Sequence, residues 1–235
     1  LGTGGIVPPP QGYWQKIQRV LKKYDILLIA DEVVTGFGRL GSMFGSAHYG
    51  MEPDLITIAK GLTSAYTPLS GVIVADGLWK VLEQGSDKLG PIGHGWTYSA
   101  HPLCAAAGVA NLELIDELGL VDNARDVGAY FRQSLTEALG DHAMVGEVRG
   151  EGLLAAVEFV KDKDGPKDGP VFFDASLKVG PQVAASLLER GVIARAMPQG
   201  DILGFAPPLC LTKAESDEIV AATKGAVEAI AAKVL

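Results

Sequence analysis

Three short, largely apolar runs constrain this chain more than anything else in it. Ile26-Leu27-Leu28-Ile29-Ala30, Leu55-Ile56-Thr57-Ile58-Ala59 and Gly71-Val72-Ile73-Val74-Ala75 are each five residues long. Runs of that length are too short for a buried helix, and they lack the alternation of a half-exposed strand. Each therefore reads as a strand covered on both faces, the kind that fills a parallel sheet. Trp14, Ile17 and Leu21 recur at helical spacing after Pro8-Pro9-Pro10, with Val20 and Tyr24 alongside, so a helix ending near Tyr24 is expected to lead into the first strand. Helix and strands in this succession predict an α/β sheet.

Beyond the third run the pattern changes. Ser99 to Leu118 turns helical, with Ala105 to Ala107 small enough for close packing. Val121, Ala124, Val127, Phe131, Leu135 and Leu139 mark a second amphipathic helix. Gly150-Glu151-Gly152 precedes a strand-like run, Leu153 to Val160, and the charged stretch Lys161 to Pro170 is expected to be a solvated loop. Val179, Val183 and Leu187 predict a helix stopped by Gly191, and Thr212-Lys213-Ala214-Glu215 is a capping-box start for a last helix carrying Ile219, Ala222, Ala226 and Ile230. The expected division is residues 1–118, sheet-building, and residues 119–235, a smaller α+β domain.

Composition narrows the classes of function. With 235 residues, 48% hydrophobic and 20% charged, the chain is globular, long enough for one large domain or two modest ones. A formal net charge of −8 lacks the basic footprint that nucleic acid or an anionic membrane asks for. No apolar run approaches the ~18 residues of a membrane span. Only two cysteines, Cys104 and Cys210, are present, so a disulfide scaffold is excluded and a reducing, cytoplasmic setting is expected. The opening Leu-Gly-Thr-Gly-Gly has neither Met nor a charged-then-apolar leader, which reads as a piece of something longer.

Two residues stand where chemistry is placed in such folds. Asp31 follows the first run directly, with Glu32 behind it, and Lys60 ends the second; ligands of open α/β sheets bind outside the carboxyl ends of the strands. An ammonium held at that depth is expected to be desolvated, which lowers its pKa toward that of a nucleophile. Position alone leaves open that Asp31 caps a loop or pairs with a basic neighbour. It also leaves open that Lys60 lays its stem on the sheet and reaches water. Between them, Gly36-Phe37-Gly38-Arg39-Leu40-Gly41 matches the G-x-G-x-x-G pattern of a dinucleotide site, but Gly41, Gly45 and Gly50 interrupt the helix that pattern must open. His101-Pro102-Leu103-Cys104 offers two ligands where zinc takes four.

The string DEVVTGFGRLGSMFGSAHYGMEPDLITIAKGL, residues 31–62, strongly resembles the class III aminotransferases of the ω-amino acid and amine:pyruvate type. The likeness continues through TSAYTPLSGVIV, HGWTYSAHPLCAAAG, EVRGEGLLAAVEF and FAPPLCLTKAE, and so covers essentially the whole chain. The resemblance implies pyridoxal-phosphate fold type I, with part of a large, mostly parallel sheet domain followed by a small C-terminal α+β domain. It implies pyridoxal 5'-phosphate as cofactor, and transfer of an amino group from an amine or ω-amino acid to a keto acid such as pyruvate. Lys60 would then form the Schiff base and shuttle the proton, Asp31 would bond the pyridine nitrogen, and Val33 would pack on a ring face. Trp96 and Thr97 resemble the segment that reaches the phosphate of a neighbouring subunit's cofactor in a homodimer or tetramer. Arg195 resembles the mobile arginine that clamps a substrate carboxylate.

Two departures accompany the likeness. Ser64-Ala65-Tyr66 stand where many relatives carry glycines, which favours the amine:pyruvate and β-alanine:pyruvate subgroup. The family's phosphate loop and ring-stacking tyrosine would lie upstream, so the chain is expected to be the carboxyl-terminal part of a longer enzyme. Rival readings are an aminomutase or a decarboxylase on the same scaffold, a nicotinamide-dependent oxidoreductase using the 36–41 loop, and a non-catalytic fragment.

Overall fold

The computed structural model describes residue 2, residues 4–165 and residues 169–235. Two compact units divide the chain: Pro10–Val121, and Asp122–Leu235 together with the described part of Leu1–Pro9. The opening residues thus join the C-terminal unit, whereas the sequence pattern grouped them with the sheet that follows them. Residue 1 and residues 166–168 of the expected charged loop lie outside the described residues.

In the first unit, α1 (Tyr13–Lys23) ends at Tyr24, and Asp25, at φ 52°, turns the chain toward β1 (Ile29–Asp31). β2 (Leu55–Ile58) runs parallel to β1, with Asp31 opposite Thr57. Asp54 starts it by accepting the Leu28 N–H at 2.7 Å. β3 (Gly71–Val74) closes the sheet antiparallel to β2, in the order β1-β2-β3. This sheet is not covered on both faces as the apolar runs suggested: Ile29 is 60% exposed beside Ala30 at 5%, and Ile26, Leu27, Val72 and Ile73 also face water. That exposure is of this chain by itself. The connection between β1 and β2 is a glycine-rich loop holding only α2 (Gly45–His48), where a parallel crossover usually carries a longer helix.

Two further helices complete the unit. α3 (Asp76–Leu89) was not anticipated, although Asp76 in its first turn and Lys88 in its last are the charges a helix dipole favours. α4 (Pro102–Glu117) starts with Pro102 at its first turn, and the His101 Nδ1 accepts the Leu103 N–H at 3.3 Å.

The second unit is built on α5 (Leu120–Leu139), which starts in the last residues of the first. β4 (Val145–Glu151) and β5 (Leu154–Phe159) form a hairpin turning at Gly152, φ 54°. Gly128 of α5 lies against that turn so closely that a Cβ there would meet the Gly152 carbonyl oxygen at 2.2 Å. α6 (Val179–Leu188) ends as expected at Gly191, φ 82°. The Gly191 N–H donates to the Leu188 carbonyl and the Val192 N–H to the Leu187 carbonyl, a Schellman closure. β6 (Arg195–Ala196) and β7 (Ile202–Phe205) extend the sheet to the antiparallel order β4-β5-β7-β6. α7 (Lys213–Val234) carries the expected capping box, Thr212 and Glu215 bonding reciprocally. Those bonds hold the Glu215 carboxyl below its ordinary pKa.

In the main core of this unit Phe131, Leu135 and Leu139 from α5 meet Val157, Phe159, Leu203 and Phe205 from the sheet, with α6 and α7 sealing it, and a smaller cluster sets Ala124 and Val127 against Leu153 and Leu211. Arg149 binds the N-terminal segment to β4 by donating from Nε and Nη2 to the Gly5 carbonyl, at 3.0 and 2.8 Å. The charged stretch after β5 is closed at its base by an isolated bridge between Asp162 and Val171.

Candidate active site

Because β1 and β2 are parallel, their carboxyl ends lie at one end of the sheet, and Asp31 and Lys60 both stand at that end. Asp31 is the last residue of β1, and its Oδ1 accepts the Val33 N–H at 3.1 Å and the Thr57 hydroxyl at 3.4 Å. The first bond is an Asx-type turn that orients Asp31 and Val33 together. Thr57 was not anticipated as a partner; only the strand register places it beside Asp31. Oδ2 of Asp31 has no donor among the described residues.

Glu32, the other acid of the pair, points the opposite way and has a different task. It is 2% exposed; its Oε2 accepts from the Gly45 N–H at 2.9 Å and from the Thr35 hydroxyl, and its Oε1 accepts from the Ser46 N–H. A buried carboxylate is tolerated when its oxygens are this well supplied with donors. Glu32 thereby ties the glycine-rich loop back onto the end of β1. Alternation along a strand is the signal that separates it from Asp31. The loop opens no helix between Gly36 and Phe44: Phe37, Gly38 and Gly41 adopt φ of 59°, 92° and 80°. Burial pushes the Arg39 guanidinium of this loop below its ordinary pKa.

Lys60 begins a single 3-10 turn, Lys60–Leu62, immediately after β2. Its side chain is exposed rather than desolvated as its place in the sequence suggested, because the turn carries it past the end of the sheet. Among the described residues no ion pair engages its amine. Its backbone sits at φ 43°, a region that costs a residue with a Cβ about 1–2 kcal/mol. Ser64 and Ala65 share that region at 48° and 64°, where glycine would sit without the strain of a Cβ.

The turn is held by α4. The Asn111 amide donates to the carbonyls of Gly61 and Leu62 at 2.8 and 3.1 Å and accepts the Ser64 hydroxyl at 2.6 Å. Ile115, one turn on, is buried with Leu62 and Phe37. Trp96 and Thr97 stand in an exposed segment of the same unit, where the Trp96 N–H donates to the Ser99 Oγ at 3.0 Å and the Ser99 N–H to the Trp96 carbonyl at 3.0 Å. Arg195 stands on β6 of the other unit, exposed.

Comparison with known proteins matches this arrangement to a family. The class-III aminotransferase profile fits residues 1–227. The diaminobutyrate–2-oxoglutarate transaminase of Halomonas elongata is 64% identical over 98% of this chain and 48% of its own. The putrescine–pyruvate aminotransferase of Pseudomonas aeruginosa is 42% identical over 100% of this chain and 49% of its own. Among solved structures, a transaminase obtained by directed evolution through ancestral reconstruction superposes with a TM-score of 0.97 at 65% identity, over 100% of this chain and 50% of that one. The ω-transaminase of Pseudomonas jessenii in complex with PMP does so at 0.94 and 40%, over 100% and 50%. The chain thus spans about half the length of the relatives it matches. The paired strand ends, the left-handed lysine turn and the antiparallel C-terminal sheet are therefore one part of the α/β fold type I architecture, and the chain belongs to the class-III aminotransferase family.

Proposed function

We propose that this chain is part of a pyridoxal-phosphate-dependent aminotransferase that moves an amino group from an amine or ω-amino acid to a keto acid such as pyruvate. The observation that carries the proposal is that Lys60, whose amine has no ion pair among the described residues, and Asp31, whose Oδ2 has no donor among them, stand at the carboxyl ends of adjacent parallel strands. That donor set fits the cofactor: an aldehyde needs a free amine, and a protonated ring nitrogen needs a carboxylate oxygen. When bound, the cofactor supplies an electron sink for the carbanion formed at the substrate carbon.

The chain's own residues have separable roles. Lys60 would hold the cofactor through its Nζ, and the same amine, when free, would accept a proton from the substrate carbon and hand it on. Asp31 keeps the ring nitrogen protonated, and its bonds to Val33 and Thr57 aim it. Val33 packs beside it on a ring face. Trp96 and Thr97 serve the phosphate site of a neighbouring subunit in a homodimer or tetramer. Arg195 receives a substrate carboxylate in bidentate fashion. In this reading residues 1–118 belong to the large cofactor-binding domain and 119–235 to the small C-terminal domain.

The test is borohydride reduction of the full-length enzyme in the presence of pyridoxal phosphate, with the modified peptide located by mass spectrometry, alongside turnover of an amine with pyruvate. We expect the adduct on Lys60, alanine as product, and loss of turnover by at least a thousandfold in Lys60→Ala. An adduct elsewhere, or full activity in the variant, would overturn the assignment. Alanine formation also separates this activity from an aminomutase or a decarboxylase.

A further inference from the structure

We propose that Asn111 is a positioning residue for Lys60, holding the turn that follows β2 in the strained form that presents the lysine. The inference rests on Lys60 being the amine that holds the cofactor. Within six residues, Lys60, Ser64 and Ala65 all adopt left-handed backbone without being glycine. Strain of that kind persists only where the surroundings over-determine it.

The turn's own hydrogen bonds do not suffice. Leu62 N–H donates to the Ala59 carbonyl at 3.1 Å, Thr63 N–H to that of Lys60 at 3.2 Å, and Tyr66 N–H to that of Thr63 at 3.0 Å. The carbonyls of Gly61 and Leu62 are the ones this ladder leaves over. Both take their donor from the Asn111 amide nitrogen, while the amide oxygen takes the Ser64 hydroxyl. Asn111 therefore grips the chain on both sides of Thr63, which is itself buried and donates its hydroxyl to the Thr67 carbonyl at 2.7 Å.

No other residue type serves all three contacts. Aspartate has the acceptor but no donor, alanine has neither, and glutamine is longer by a methylene. The approach of α4 is built for the short amide. At Gly108, one turn before Asn111, a Cβ would meet Leu69 Cδ2 at 3.1 Å, and Ile115, one turn after, is buried against the same turn. Gly108, Asn111 and Ile115 form one face of the helix, with the polar contact at its centre.

The experiment compares wild-type full-length enzyme with Asn111→Ala and the isosteric Asn111→Asp, all loaded with pyridoxal phosphate. Three readouts are taken: the pH midpoint of the absorbance change of the Lys60-bound cofactor, the rate of borohydride trapping at Lys60, and kcat against KM for the amine. Misplacing Lys60 is expected to move the midpoint by at least half a pH unit and to slow trapping at least fivefold. It should lower kcat at least tenfold while KM changes less than threefold. Ser64→Ala, which removes one contact of the three, should move each readout in the same direction by less. Where Asn111→Ala does not fold, the isosteric variant alone decides. A wild-type midpoint, trapping rate and kcat in Asn111→Asp overturn the proposal. Failure of the wild-type enzyme to form the adduct at Lys60 overturns instead the reading on which it rests.

Discussion

In the C-terminal unit, β5 keeps Leu154, Ala155, Ala156, Val157 and Phe159 out of water, and α5, α6 and α7 contribute to the large core on which Ala155, Val157 and Phe159 pack. In the Pro10–Val121 unit, Ala30 is the single buried residue of β1, β2 is half-buried along its length, and β3 faces solvent at Val72 and Ile73. The first sheet is the richer in β-branched residues yet the more exposed in this chain, which spans about half the length of its relatives, so strand propensity does not order the two. Order in the first unit is concentrated instead at the strand ends, where the buried Glu32 and the half-buried Asn111 tie loop and turn to the scaffold by hydrogen bonds. One unit is held by burial, which is non-directional, and the other holds its chemistry by directional contacts that fix single side chains.

The sharpest way to break this contrast is to truncate an apolar residue in each sheet. Leu203→Ala should destabilise the C-terminal unit by about 2–5 kcal/mol, as a fully buried leucine does when it leaves a cavity. Ile29→Ala should cost no more than about 0.5 kcal/mol in this chain, as surface substitutions do. Hydrogen exchange followed by mass spectrometry reads each unit separately, and equal losses in the two would show that the first sheet is covered after all.

A polar substitution probes the other half of the comparison. Glu32→Gln keeps one acceptor oxygen but sets an amide nitrogen where the other stood, so one of the backbone N–H groups of Gly45 and Ser46 loses its acceptor, at a cost of about 1–3 kcal/mol. Faster amide exchange across residues 36–46 is the expected sign, and unchanged exchange there would remove Glu32 from its anchoring role. A small effect of the opposite sign is expected at Ala65, where φ is 64°. Ala65→Gly relieves the left-handed strain but adds freedom to the unfolded chain, so it should stabilise by up to about 1 kcal/mol. A loss of stability would show that the turn is not strained there.

Legibility in the sequence followed the range of the interactions involved. Residues that act through their neighbours in the chain were readable: the strand runs from Leu55 and Gly71, the Gly191 stop, the Thr212–Glu215 box and the failure of the 36–41 loop to open a helix. β4 was missed because Val145–Glu151 alternates only weakly and gains its identity from pairing with β5. α3 was passed over although its end charges were in view. The roles of Glu32, Thr57 and Asn111 depend on partners 13, 26 and 50 residues away, which no local pattern encodes.

By itself, then, the sequence determined which residues carry reactive groups and where strands, caps and stops fall, because these depend on side-chain chemistry and on backbone preferences within a few positions. Only the tertiary structure decided which strand residues are buried within this chain, which donors anchor Glu32 inside, and that Lys60 rides on a left-handed turn gripped from α4. Those outcomes depend on which distant groups meet. A hydrogen bond or a packed face exists only when the whole chain has brought both partners to the same place.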